Sequence, residues 1–104
     1  MKITLAELAE ITMGALKSVE AMGIESFELS EDYYWFIPNE SLYDISTGEQ
    51  PRDLNLGSLY DDFESAKKSY NEDDMIPYNL KQLSSIFRYI SIKDGEMERK
   101  PDND

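Results

Sequence analysis

One aromatic stretch near the middle of the chain constrains the fold most. Residues 32–38 (DYYWFIP) include the single Trp of the sequence. Aromatic and β-branched side chains favour a strand, because they fit a pleated, partly buried surface. Alternation along a strand places Tyr33, Trp35 and Ile37 on one face and Tyr34 and Phe36 on the other. Two apolar faces predict a central core strand with Trp35 mostly buried. The alternative is that one aromatic face stays open as a binding surface.

The N-terminal segment predicts a first helix from Thr4 to Met22. Thr4 followed by Glu7 forms a capping box, which satisfies backbone N–H groups at the start of a helix. Gly23 stands where a residue in the left-handed conformation commonly ends a helix. Apolar residues recur at helical spacing, and such a stripe predicts a surface that faces the core. The stripe consists of Leu5, Leu8, Thr12, Ala15, Leu16, Val19 and Met22.

Several short strands are predicted in the middle of the chain. Ile24–Leu29 and Tyr33–Ile37 flank a short turn and are expected to pair as a hairpin. Pro38 is expected to end the aromatic strand. Ser41–Ile45 is predicted as a further strand, at the edge of the sheet. The alternating segment Asp53–Leu56 predicts a further brief strand.

The C-terminal half predicts two helices and a tail. Ser58 is a favourable cap for a helix that has acidic residues in its first turn and Lys in its last, which suits the helix dipole. After Pro77, Asn79 is expected to cap a third helix that ends near Gly95. Residues 96–104 are polar and acidic, which predicts a disordered tail.

Together these elements predict an α+β fold. It contains an N-terminal helix, a small antiparallel sheet of two to four strands, two C-terminal helices and a disordered acidic tail. The 104-residue length fits a single domain, residues 1–95, followed by the tail 96–104. Helices packed on one face of the sheet would enclose a single core.

The residue types present narrow the available chemistry. The chain has no His and no Cys, which removes the usual general base, the common catalytic triads and zinc–thiolate sites. Neither a phosphate-binding glycine loop nor an EF-hand pattern occurs. The adjacent Asp61 and Asp62 point about 100° apart on a helix, which favours capping and dipole roles over chelation. We therefore expect no enzyme activity, no cofactor and no metal site.

The net charge of −12 is concentrated in the aromatic middle of the chain. Residues 24–66 contain eleven acidic residues against Arg52 alone. This disfavours nucleic acid, whose phosphates bind Lys and Arg. A basic protein partner fits the charge, and solubility alone is the competing explanation. The residues expected to bind such a partner are Glu28, Glu31, Asp32, Tyr34, Phe36 and Glu40.

The sequence also predicts a location. The N-terminal residues reach Glu7 and Glu10 too early for the core of a signal peptide. No apolar run approaches the roughly 18 residues of a membrane span. The lack of Cys fits a reducing compartment. We therefore expect a cytoplasmic protein that does not bind membranes.

Three segments together resemble a group of small, acidic, uncharacterised bacterial proteins. They are the tyrosine–tryptophan strand at 32–35, the Leu-Tyr-Asp segment at 42–44, and 56–62, which contains a Gly-x-Leu-x-Asp-Asp helix start. The resemblance covers roughly residues 30–92 and supplies no catalytic residue. By analogy with immunity proteins of bacterial toxin systems, it implies a non-enzymatic interaction module that masks a basic partner. The alternatives are a DNA-mimicking regulator and an unrecognised carboxylate-based enzyme or metal binder.

Overall fold

The computed structural model describes residues 1–93 and 97–99, which fall into two compact units. Unit 1 contains Met1–Glu28 and, among the later described residues, Lys93 and 97–99; unit 2 is Leu29–Ile92. Helices and short antiparallel strands make up the described chain, so the α+β prediction is confirmed. In chain order the elements are α1 (Leu5–Ala21), β1 (Ile24–Phe27), β2 (Tyr33–Phe36), α2 (Asn39–Leu42), β3 (Asn55–Ser58), α3 (Leu59–Asn71), α4 (Tyr78–Ile92) and β4 (Met97–Arg99).

Helix α1 of unit 1 begins and ends as its sequence predicts. The Thr4 hydroxyl accepts a hydrogen bond from the Glu7 backbone N–H at 3.1 Å and donates one to the Glu7 carboxylate at 2.8 Å. Gly23 follows the helix with φ +87°, a conformation that glycine adopts without strain.

The apolar stripe of α1 is predicted to face the core, but only two of its residues, Thr12 and Val19, are even half-buried. No residue of this 17-residue helix is buried, so that prediction is wrong. The physical reason is the size of the neighbouring sheet. At about 1.5 Å per residue the helix is about 26 Å long, whereas a four-residue strand spans only about 13 Å. The β1–β4 ribbon is too small to cover the helix.

The first ribbon pairs β1 with β4, although residues 96–104 are predicted to be disordered. The Ser26 hydroxyl donates to the Glu98 carboxylate at 2.8 Å, and Arg99 Nη1 donates to the Met22 carbonyl at 2.9 Å. For 97–99 the prediction of disorder is therefore wrong, and the other tail residues lie outside the described residues. The division into a single 1–95 domain and a tail otherwise stays a prediction.

The second ribbon pairs β2 with β3 in unit 2, so the predicted hairpin between 24–29 and 33–37 is wrong. The reason lies at Asp32, just before β2. Its carboxylate accepts hydrogen bonds from the Ser58 hydroxyl at 2.7 Å and the Tyr60 backbone N–H at 3.0 Å. These bonds tie the start of β2 to the end of β3.

Two further strand predictions need correction. The predicted edge strand Ser41–Ile45 is wrong, because the short helix α2 occupies Asn39–Leu42 directly after Pro38. The strand predicted over Asp53–Leu56 is observed two residues later, at Asn55–Ser58. Pro38 is the N-cap residue of α2, and its carbonyl accepts the Ser41 N–H at 3.0 Å, which turns the chain into a helix instead of a strand.

Helices α3 and α4 pack together and provide most of the buried residues of unit 2; Pro38, outside both helices, is also buried. The Ser58 hydroxyl accepts from the Asp61 N–H at 3.2 Å, so the cap prediction for α3 is confirmed. Asn79 lies inside the first turn of α4 and is not its cap. It is buried, accepts from the Ile76 N–H at 2.7 Å and donates to Gln82 at 2.8 Å. The buried residues of the two helices are Leu59, Ala66, Asn79, Gln82, Ile86 and Tyr89.

No helix within residues 1–93 and 97–99 has the length and apolar character needed to cross a bilayer.

Candidate functional site

The β2–β3 ribbon leaves one of its faces exposed. Trp35 is 69% exposed and Tyr33 68% exposed, and Leu56, which lies directly opposite Trp35, is 57% exposed. Opposite residues of an antiparallel pair point to the same face. These three side chains therefore form one surface, which we call the outer ribbon face (Tyr33, Trp35 and Leu56). The prediction that Trp35 is buried is wrong.

The other face of the ribbon packs on the helices of unit 2. The Tyr34 hydroxyl donates to Asp62 Oδ2 at 2.5 Å, and the Ser85 hydroxyl donates to the same oxygen at 2.7 Å. The Phe36 ring lies 5.9 Å from the Tyr34 ring, and the Lys81 ammonium lies 4.1 Å from the Phe36 centroid, which is a cation–π distance. These contacts hold the ribbon to α3 and α4.

Gly57 makes the inner packing possible. It lies directly opposite Tyr34 in the ribbon. A Cβ atom added at Gly57 would lie 2.7 Å from the Tyr34 hydroxyl oxygen, inside van der Waals contact. Glycine therefore leaves the space through which the Tyr34 ring reaches Asp62.

The inner contacts change the chemistry of the Tyr34 hydroxyl. Partial burial, which costs the phenolate its hydration, and the hydrogen bond to Asp62 together raise its pKa from 10.0 to about 12. The folded state therefore holds this proton more tightly than the unfolded chain does. The resulting contribution to stability is complete below pH 10 and is lost as the pH rises from about 10 to 12.

We expect spectrophotometric titration to show one tyrosine that ionises about two pH units later than an ordinary tyrosine. The chain has seven Tyr, so this phase is about a seventh of the absorbance change of tyrosinate formation. Tyr34→Phe should remove the late phase. Tyr33→Phe, which alters an exposed ring, should instead remove part of the absorbance change at ordinary tyrosine pH and leave the late phase in place. Identical difference titrations for the two variants would contradict the assignment.

The residues predicted to bind a partner are placed in different environments. Tyr34 and Phe36 are half-buried against the helices, since their rings meet Asp62 and Lys81. Asp32 is half-buried and binds the start of α3. The three glutamates of the set are all exposed, Glu31 and Glu40 in unit 2 and Glu28 in unit 1. The structure thus keeps the predicted acids at the surface and turns the predicted aromatics inward.

Sequence reasoning missed Tyr33, Trp35 and Leu56 as surface residues. Strand alternation separates the two aromatic faces correctly, but both faces are apolar, so the pattern does not tell which of them is covered. Gly57 is a signal that becomes readable only once the β2–β3 register is known. A glycine without a side chain leaves room on one face of a ribbon, and a large ring across from it fills that room. With that register, Gly57 assigns Tyr34 to the covered face.

The inner side of the ribbon engages its polar groups in internal hydrogen bonds. The Asp62 carboxylate accepts from the Tyr34 and Ser85 hydroxyls. Within residues 1–93 and 97–99 no three carboxylates lie close enough together to hold a metal ion. The outer ribbon face presents aromatic and aliphatic side chains on a ribbon whose inner face is fixed to α3 and α4.

Comparisons of the chain with protein-family models, with curated proteins and with solved structures find no match.

Proposed function

We propose that this chain is a non-enzymatic protein-interaction module of the cytoplasm, which binds and masks a basic partner protein in the manner of an immunity or inhibitor protein. The proposal rests on the exposed side chains of the outer ribbon face. Trp and Tyr are enriched among the residues that dominate binding energy at protein interfaces, because they bury a large area with few rotatable bonds. Here one of each is more than two-thirds exposed on a ribbon fixed by its inner contacts.

The charge of unit 2 supports a basic partner. Residues 29–92 contain twelve acidic and five basic residues, a net charge of −7. A surface of one sign attracts a partner of the opposite sign and raises the association rate, and salt screens this effect. The aromatic contacts would mainly determine how slowly the complex dissociates.

The test is affinity capture from an extract of the source cells, with the full chain immobilised. The test variant is Tyr33→Ser/Trp35→Ser. The matched control is Tyr43→Ser/Tyr70→Ser, which removes two tyrosines that are at least as exposed (86% and 72%) but lie outside the ribbon. We expect the wild type and the control to retain the same basic protein and the ribbon variant to lose it. Equal retention by both variants would contradict the proposal.

Two further measurements sharpen this experiment once the captured protein is purified. Because Trp35 is the single Trp, its emission should start close to that of Trp in water and shift to the blue when the partner covers it. Glu31→Lys and Glu40→Lys should slow association, with the largest effect at low salt. Unchanged Trp emission on binding would show that the partner uses another surface.

The ribbon variant should remain folded, which makes its loss of binding interpretable. Replacing exposed side chains typically changes the free energy of unfolding by about 0.5 kcal/mol or less. A urea melt of the Tyr33→Ser/Trp35→Ser variant should therefore have nearly the same midpoint as the wild type. A large drop in the midpoint would mean that Trp35 supports the fold.

A further inference from the structure

Helix α1 carries an apolar stripe with the spacing of a coiled coil. Five of its side chains and that of its C-cap residue, Met22, recur alternately three and four residues apart, which is the a/d pattern over about two and a half heptads. We call this stripe the α1 seam (Leu5, Leu8, Thr12, Ala15, Val19 and Met22). At 100° per residue, the charged side chains of the helix fall outside the seam. They are Glu7, Glu10, Lys17 and Glu20.

Unit 1 lacks a core that could stabilise this helix. Among its described residues, Ile24 is the one buried hydrophobic side chain, and α1 itself has none. Counting every residue assigned to it, the unit has 40 residues, 28 before Leu29 and 12 after Ile92. Units of this size usually need disulfides, a metal or oligomerisation, and the chain has no Cys. A 17-residue helix is also only marginally stable alone in water.

We propose that the α1 seam packs against the α1 seam of a second copy of this chain, forming a symmetric homodimer. The heptad spacing is suited to another helix of the same spacing, because each a or d side chain then enters a gap between four residues of its partner. The seam is uncharged, so two identical copies meet without direct repulsion. This interface lies on unit 1 and is separate from the outer ribbon face.

The size of the seam determines how tight the dimer should be. A helix about 26 Å long and about 10–12 Å in diameter has about 800–1,000 Å² of lateral surface, and the half centred on the seam offers about 400–500 Å² per copy. The total of about 800–1,000 Å² is below the roughly 1,200 Å² of stable, specific interfaces and is typical of weak ones. We therefore expect a dissociation constant in the micromolar range and not an obligate dimer.

The proposed dimer and the proposed partner binding should respond to salt in opposite directions. Each chain has a net charge of −12, so two copies repel through charges that lie away from the seam. Added salt screens that repulsion and should strengthen the dimer. The same salt should slow the association of the ribbon with a basic partner. Failure of one proposal is thus distinguishable from failure of the other.

The test is sedimentation equilibrium of the full chain from about 5 to 300 µM, a range that spans micromolar dissociation constants. The seam variants are Leu8→Glu and Ala15→Glu. The control is Met13→Glu, which introduces the same charge at an exposed apolar residue about 130° around α1 from the middle of the seam. Leu8 and Met13 are similarly exposed, at 48% and 53%. We expect the wild type and Met13→Glu to dimerise, and the seam variants to raise the dissociation constant at least tenfold.

Cross-linking provides a second measurement that does not depend on the stability of the Glu variants. Because the chain has no Cys, an introduced Cys is the only thiol present. After oxidation, Ala15→Cys should yield covalent dimers if the helices run parallel, and a mixture of Thr12→Cys and Ala15→Cys chains should do so if they run antiparallel. Lys17→Cys, outside the seam, is the control. A wild type that stays monomeric at every concentration, equal effects of Ala15→Glu and Met13→Glu, or no preference of seam cysteines over Lys17→Cys would each overturn the proposal.

Discussion

Replacing Asp62 with Ala should lower the free energy of unfolding by about 1.5–3 kcal/mol. The substitution removes the acceptor of the Tyr34 hydroxyl, and a hydrogen bond to a charged group contributes about that much before solvent exposure reduces it. Ser85 loses less, because its single hydroxyl proton can turn to the Gln82 carbonyl, 2.8 Å away. Both donors are half-buried, so water replaces the lost acceptor only in part. This is a large fraction of the roughly 5–15 kcal/mol that stabilises a typical domain.

The neighbouring Asp61 provides the matched control for Asp62. Both carboxylates lie in the first turn of α3 and favour the helix dipole equally, but Asp61 is exposed. Asp61→Ala should therefore cost only about 0.3–1 kcal/mol, the dipole contribution alone. Urea melts of both variants measure the difference, and equal midpoints would contradict the structural role of Asp62.

A double-mutant cycle isolates the Tyr34–Asp62 contact. Once Asp62→Ala is present, Tyr34→Phe should cost less than it does in the wild type, because the hydrogen bond is already absent. The coupling between the two changes should be favourable and exceed about 0.5 kcal/mol. Additive effects would show that the two side chains act independently.

Replacing Gly57 with Ala is expected to be the second large perturbation, with a cost of about 1–3 kcal/mol from overpacking. The new methyl group would overlap the Tyr34 ring, which is held from its far end by Asp62. The ring cannot move away without lengthening that hydrogen bond. Thermal or urea unfolding of the variant measures the cost.

Two further variants separate overlap with Tyr34 from a general effect of losing a glycine. Gly14→Ala, in the middle of α1, has open space around the added methyl and should stabilise the helix by about 0.5–1 kcal/mol. Tyr34→Ala should make the Gly57→Ala change nearly harmless, since the obstructing ring is gone. If Gly57→Ala remains costly in that background, the overlap is not the cause.

The sequence by itself determined the local structure wherever one element contains its own signals. The Thr4–Glu7 capping box, the Gly23 end and the Ser58 cap are interactions within three or four residues, so the start and end of α1 and the start of α3 are predicted correctly. The aromatic strand is likewise present where its composition places it. The α+β class follows from the order of these elements.

The tertiary structure decided which strands pair and which apolar faces are covered. Strand pairing depends on groups far apart in sequence, such as Asp32 with Ser58, which a local pattern does not contain. An apolar stripe indicates that a face avoids water but does not indicate which element packs on it. Among the described residues no element covers Trp35, because the ribbon packs on α3 and α4 through its other face, which holds Tyr34. The small β1–β4 ribbon does not have enough surface to cover the apolar stripe of α1. The spacing of the apolar residues does not specify which other surface would cover that stripe.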